Sequence, residues 1–135
     1  MDTTLDFLVA EADKARSFSY SPYSEYKVGA SLLCSDGTVY TGCNIENASY
    51  SATVCAERVA IFKAISDGKR DFKALCVVGG KGEKGDFAPP CGVCLQVISE
   101  FCSPDFTILL VSGGKTKSYT LADFLPNAFC ASDIK

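Results

Sequence analysis

Between Thr4 and Phe18 the apolar residues Leu5, Leu8, Val9, Ala12 and Ala15 recur at three- and four-residue spacing, with charges between them. That period predicts an amphipathic helix. Ser21-Pro22-Tyr23-Ser24 breaks it. Val28 to Cys34 and Val39 to Cys43 read as two strands joined at Ser35-Asp36-Gly37, where the Asp-Gly pair signals a hairpin. Asn44 to Thr53 is polar and aperiodic, a loop between regular segments. Ala56 to Ile65 reads as a second helix, with Val59, Ala60, Phe62 and Ala64 on its buried side and Gly68 as the residue after its cap.

Ala74 to Gly79 is a short apolar run of the kind buried on both faces of a sheet. A Gly- and Lys-rich loop from Gly80 to Pro90 follows. Gly92 to Phe101 predicts a third helix, Phe106 to Ser112 a strand, and Lys117 to Thr120 an edge strand. Leu121 to Leu125 is a helical turn stopped by Pro126. The order α-β-β-α-β-α-β-β implies an α/β fold with helices packed on a mixed, five-stranded sheet. Strand–helix alternation after Thr53 favours a parallel crossover in that half.

With 135 residues the chain is long enough for one domain, spanning 1–135. At 47% hydrophobic and 21% charged it can bury an ordinary core, which excludes a disordered tail, a coiled coil or a collagen-like fibre. The net charge of −3 provides no basic excess for nucleic acid or an anionic membrane, so neither is an expected partner. No apolar run approaches the roughly 20 residues of a membrane span.

Two counts sharpen the picture: eight Cys and no His. The missing His removes every Ser-His, Cys-His and His-metal arrangement. Acid–base work near neutral pH then falls to a carboxylate, Tyr, Lys, a thiolate or metal-activated water. The start, Met1-Asp2-Thr3-Thr4-Leu5, has neither a cationic segment nor an apolar stretch of a secretory signal, so a reducing, cytoplasmic setting is expected. In that setting clustered Cys more often bind metal or do chemistry than form disulfides.

Cys55, in Thr53-Val54-Cys55-Ala56-Glu57-Arg58, and Cys91, in Pro89-Pro90-Cys91-Gly92-Val93-Cys94, both lie where a loop meets a predicted helix. Three thiolates from two helix starts can form three corners of a tetrahedron around zinc, leaving the fourth open as a catalytic site requires. The helix dipoles and Arg58 offset the residual charge of −1. Glu57 lies two positions after Cys55, too close to swing readily onto the same metal. It can instead serve water beside the metal as a proton acceptor. Taken alone, the Cys-x-x-Cys pair fits a structural zinc site or a redox pair equally well. The combined pattern of Cys-Ala-Glu, a gap, then Pro-Cys-x-x-Cys is far more specific, and it has the form found in zinc-dependent nucleobase deaminases. Cys34, Cys43, Cys76, Cys102 and Cys130 sit mostly in apolar contexts and read as small buried hydrophobes.

Over nearly its whole length the chain resembles the short, homotetrameric, zinc-dependent cytidine deaminases. The matching segments are Tyr26-Lys27-Val28-Gly29-Ala30, Asn44-Ile45-Glu46-Asn47-Ala48-Ser49-Tyr50, Cys55-Ala56-Glu57-Arg58, Pro90-Cys91-Gly92-Val93-Cys94 and Leu125-Pro126-Asn127-Ala128-Phe129. The resemblance implies a three-layer α-β-α sandwich and one zinc ion per subunit held by Cys55, Cys91 and Cys94. It implies hydrolysis of free cytidine and 2′-deoxycytidine to uridine and 2′-deoxyuridine, with release of ammonia, in pyrimidine salvage. In that scheme zinc-bound hydroxide attacks ring C4 and Glu57 shuttles the protons. The backbone N–H groups of Ala56 and Cys91 would assist as an oxyanion hole.

Asn44 and Glu46 would bind the ribose 3′-hydroxyl, although their residue types alone favour loop capping and only the resemblance reverses that reading. Tyr26 stands where the family usually has Phe, its ring packing on the pyrimidine. Tyr50 and Phe129 would reach a neighbouring subunit's site. Leu95 replaces the family's usual Arg before Gln96, which leaves Arg58 as the only cation within the two cysteine motifs. Two other readings compete. One is a deaminase of another aminopyrimidine such as blasticidin S, which would lack Asn44-Ile45-Glu46-Asn47. The other is a non-catalytic zinc module closed by a fourth Cys such as Cys43 or Cys102.

Overall fold

Alternate side chains of the central strands divide between two separate apolar clusters. Leu32, Leu75, Val77, Ile108 and Leu110 enter one cluster. Their neighbours Leu33, Ala74, Cys76, Val78, Leu109 and Val111 enter the other. A sheet buried on both faces has this pattern, because successive side chains point to opposite sides. The computed structural model describes residues 3–82 and 86–135.

The strands are β1 (Lys27–Cys34), β2 (Val39–Cys43), β3 (Phe72–Gly80), β4 (Thr107–Ser112) and β5 (Lys115–Thr120). They form one sheet in the order β2-β1-β3-β4-β5. β3 and β4 are parallel, and every other pair is antiparallel. Helix α1 (Thr3–Arg16) covers one face through Leu8 and Ala12. Helices α2 (Ala56–Ser66) and α3 (Gly92–Phe101) cover the other through Ala60, Ile61, Ala64, Leu95 and Ile98. The short α4 (Leu121–Phe124) follows β5. The result is the expected three-layer sandwich around a mixed sheet, and α3 supplies the parallel crossover between β3 and β4.

Two glycines set how closely the layers approach. A Cβ on Gly29 would lie 2.0 Å from the carbonyl oxygen of Ala12, and one on Gly42 would lie 2.4 Å from that of Ala56. Both obstacles are backbone, so α1 and α2 rest directly on β1 and β2. Gly29→Ala is therefore expected to cost about 3 kcal/mol, the upper end of overpacking penalties, measured by urea unfolding. A loss below about 0.5 kcal/mol would mean that α1 can lift from the sheet.

Most differences from the sequence expectation fall at element ends. α1 stops at Arg16, two residues early, because the N–H groups of Ser17, Phe18 and Ser19 each bond three residues back, tightening the chain into turns. Phe18 is left exposed. Phe62 is also exposed rather than buried. The buried stripe of α2 runs through Ala56, Ala60, Ile61 and Ala64, and Phe62 falls outside that three- and four-residue spacing. Gly68 takes its expected place after α2, at φ +89°. The Lys69 and Gly68 N–H groups bond to Ala64 and Ile65 carbonyls, which closes a Schellman motif. β3 and β5 each extend two residues further toward the N-terminus than the apolar pattern indicated. Within the Gly80–Pro90 loop, residues 83–85 lie outside the described residues.

Arg16, buried at the end of α1, gathers three segments. Its Nε donates to Lys27 O at 3.0 Å, and Nη2 donates to Gly80 O and Gly82 O at 2.7 and 2.5 Å. The start of β1 and the exit from β3 toward Pro90-Cys91 are thereby held together.

Candidate active site

Cys55 and Cys91 are the N-cap residues of α2 and α3, with extended backbone angles. An N-cap side chain ordinarily accepts a bond from its own helix, but neither thiol does so here. The sulfurs turn toward each other instead, at 3.6 Å. Cys94, one turn into α3 and fully buried, completes a group whose sulfurs all lie within 4.8 Å of one another. Four thiolate-length bonds of about 2.3 Å around zinc set tetrahedral edges of about 3.8 Å, so the group has the size zinc requires.

Among the described residues this group has three members. Cys43 ends β2 and Cys102 caps the far end of α3, so neither closes it. All eight cysteines are free thiols. Burial pushes Cys76 and Cys102 up to about 12, which makes them inert.

The electrostatics around the three sulfurs differ sharply. A hydrogen bond from Cys94, supported by Arg58 and Cys91, draws Cys55 down to about 5 against the effect of burial. Cys94 moves upward, because it donates to Cys55 and because it is buried. A metal ion held by both sulfurs would displace the proton that Cys94 donates to Cys55. Arg58 Nη2 lies 3.5 Å from Cys55 Sγ, and its guanidinium also bonds Cys94. Among the described residues the buried Arg58 Nε has no hydrogen-bond partner. Leu95 packs into the core cluster of α2 and α3, so that position contributes packing instead of charge.

Glu57, in the first turn of α2, is 4% exposed. Burial pushes its carboxyl up to about 7, with the charge of Cys55 adding to the rise and Arg58 opposing it. A carboxyl poised near neutrality can both take and release a proton at physiological pH. Tyr26 is half-buried against the same core. Burial raises its hydroxyl above the usual tyrosine range, and the charges of Asp86 and Glu57 add to the rise. Ala56 is the first helical residue of α2, where backbone N–H groups have no intrahelical partner.

The loop-capping alternative for Asn44 is visible in its bonds. Oδ1 accepts from Ser19 Oγ and Val28 N–H at 2.5 and 2.9 Å, and Nδ2 donates to Tyr26 O at 2.7 Å. Glu46 Oε1 accepts from the Tyr23 and Ser24 N–H groups at 3.0 and 3.1 Å, and Oε2 accepts from Ser24 Oγ. Those bonds hold its carboxyl below the usual carboxylate range, the Ser24 hydroxyl contributing most. Glu46, Tyr23, Ser24, Tyr50 and Thr53 line an open cavity of about 380 Å³, within the usual range for small-molecule sites. Tyr50 meets Tyr23 edge-on at 6.2 Å. Phe129 is exposed, and Gln96 Nε2 holds its carbonyl at 2.8 Å.

Tyr23, Ser24 and Ser19 were not singled out in the sequence. Their only signal was the polar break after α1, and hydrogen-bond partners 22 to 25 positions away leave no local periodicity.

The profile of the cytidine and deoxycytidylate deaminase zinc-binding region matches residues 2–110. The chain is 52% identical over 128 residues to the cytidine deaminase of Sporosarcina psychrophila, covering 94% of this chain and 92% of that one. It is 47% identical over 128 residues to the cytidine deaminase of Halalkalibacterium halodurans, covering 94% and 95%. The crystal structure of the Burkholderia pseudomallei cytidine deaminase superposes with a TM-score of 0.85 at 42% identity, over 92% of this chain and 98% of that chain.

Proposed function

The chain belongs to the family of zinc-dependent cytidine and deoxycytidylate deaminases, hydrolases of C–N bonds, and from that premise we propose that it converts free cytidine and 2′-deoxycytidine to uridine and 2′-deoxyuridine with release of ammonia. The observation that carries this reading is a buried carboxyl, Glu57, one helical step from a three-sulfur metal group with no fourth protein ligand among the described residues.

Cys55, Cys91 and Cys94 would hold the zinc. A metal held there would supply Lewis-acid chemistry, acidifying the water that attacks ring C4. Glu57 takes a proton from the attacking water, passes it to ring N3, and later delivers one to the departing amino group. Its buried, near-neutral carboxyl suits all three transfers. The N–H groups of Ala56 and Cys91, at the positive ends of two helices, stabilise negative charge developing at the added oxygen. Tyr26 offers its ring to the pyrimidine. Asn44 and Glu46 read the ribose 3′-hydroxyl, a group that both donates and accepts. Arg58 bonds the sulfur ligands and balances their charge.

The exposed Tyr20, Tyr23, Ile45, Tyr50, Val93 and Phe129 support a homotetramer whose sites are shared, with Tyr50 and Phe129 reaching into a neighbouring subunit. No helix among the described residues is long and apolar enough to cross a membrane. We place this single domain of residues 1–135 in the cytoplasm, in pyrimidine salvage, with nucleosides and not nucleic acid as its partners. The deciding experiment follows ultraviolet absorbance of cytidine with purified, zinc-loaded protein. Loss of the cytidine band in favour of uridine is expected; an unchanged spectrum at full zinc content would overturn the assignment.

A further inference from the structure

The turn after α1 does more than reverse the chain. Ser24 lies on the wall of the 380 Å³ cavity beside Glu46, yet its hydroxyl is committed on both sides. It donates to Glu46 Oε2 and accepts from Tyr26 N–H at 2.9 Å. The other side of the Tyr26 backbone is held as well, its carbonyl accepting from Asn44 Nδ2 at 2.7 Å. Tyr26 is therefore a hub. Its N–H leads through Ser24 to Glu46, and its C=O leads to Asn44.

The remaining valences follow from these bonds. Both acceptor sites of Asn44 Oδ1 are taken by Ser19 Oγ and Val28 N–H, and one Nδ2 hydrogen is spent on Tyr26 O. One amide hydrogen is left for a ligand. Glu46 Oε1 receives two N–H donors and Oε2 receives the Ser24 hydroxyl, so one acceptor site is left on Oε2. One donor and one acceptor are the complement of a hydroxyl, which on the nucleoside reading would accept from Asn44 and donate to Glu46. The direction of that donation is set by the protein, since the Val28 N–H and the Tyr26 carbonyl permit only one orientation of the Asn44 amide.

We propose that Ser24 is a positioning residue for sugar recognition: its hydroxyl fixes the Glu46 carboxylate that reads the nucleoside 3′-hydroxyl and ties it, through the Tyr26 backbone, to the ring that meets the base. This rests on the nucleoside reading given above. Ser24 does not itself touch the substrate in this account, because the hydrogen it could offer is already spent. Its Glu46 bond is charge-assisted, and such bonds are short and about twice as strong as neutral ones. Without it only the two N–H donors on Oε1 hold the carboxylate, and the orientation of Oε2 that selects for a hydroxyl is loosened.

The test compares kcat/KM for cytidine with kcat/KM for 3′-deoxycytidine, which lacks the hydroxyl being read. In the parent protein the ratio should lie well above one, because the truncated substrate leaves Asn44 and Glu46 unpaired. In Ser24→Ala the ratio should fall about tenfold, mainly through a higher KM for cytidine. Ser24→Thr, which keeps the hydroxyl, should restore most of it.

A merely structural role predicts a different result: both substrates would suffer equally in Ser24→Ala and the ratio would stay at the parent value, which would overturn the proposal. So would an undiminished ratio in a variant whose thermal midpoint and zinc content match the parent. A parent ratio near one would overturn it in another way, by removing hydroxyl reading at Asn44 and Glu46 while leaving deamination intact. No turnover of cytidine by the parent would overturn both the proposal and the reading beneath it.

Discussion

Glu57→Gln should bind zinc as the parent does and deaminate cytidine at least about a thousandfold more slowly, a barrier increase of about 4 kcal/mol. The substitution keeps volume and hydrogen-bonding shape but cannot hold or release a proton. Glu57 is 4% exposed and contributes no sulfur or oxygen to the metal group, so fold and metal content should be untouched. One assay of initial rates, paired with zinc measured on the same sample, decides the matter. A variant retaining a tenth of the parent rate would show that another group moves the protons, and the argument from burial would fall with it. A variant that loses zinc would show that the carboxylate supports the ligand set instead of the reaction.

The second large effect concerns the metal group. Cys94→Ala should lower zinc affinity by at least about 100-fold and abolish turnover, measured by competition with a chromogenic chelator. Cys94 is fully buried between its two partner sulfurs and Arg58, so no solvent-exposed group can move in to replace it. Arg58→Ala belongs on the same scale but lower. It removes a cation that bonds two of the sulfurs, and loss of such supporting partners typically costs about 10- to 100-fold in affinity. Equal zinc affinity in Arg58→Ala and the parent would show that the two helix ends alone balance the thiolate charge. An active, zinc-loaded Cys94→Ala would remove the three-sulfur site altogether.

Much of this arrangement was legible before any coordinates, and the parts that were share one property: they are local. Helix α3 begins at Gly92 and ends at Phe101 as the sequence indicated, because an apolar face at helical spacing is a signal carried within ten residues. The Asp36-Gly37 turn, the cap at Gly68 and the edge position of β5 were likewise written in short windows. The spacing of Cys55, Glu57, Cys91 and Cys94 carried the metal group, since two helix starts need only meet for the sulfurs to converge.

What stayed hidden depends on tertiary contact. Phe62 looked like core, but the face of α2 that meets the sheet runs through Ala56, Ala60, Ile61 and Ala64 and leaves it at solvent. Leu95 stood out as a missing charge, and only its burial in the core shows the packing it supplies. Asn44 and Glu46 could be named, but not the turn that orients them. Ser24 and Glu46 are 22 positions apart, and nothing in either one's neighbours announces the other.

The two helix caps also have a consequence for the chain as a polymer. Cys55 and Cys91 are 36 positions apart, so any ion gripping both closes a ring that contains all of α2 and all of β3. An unfolded chain must surrender the freedom of that whole ring to make the same grip, whereas the folded chain has already done so. The ion therefore binds the native state preferentially, and each tenfold rise in free zinc above the dissociation constant adds about 1.4 kcal/mol to the work of unfolding. How long this protein survives heat is then a property of its surroundings as much as of its sequence: in zinc-poor medium it stands on its core alone, and in zinc-rich medium the reaction centre doubles as a rivet.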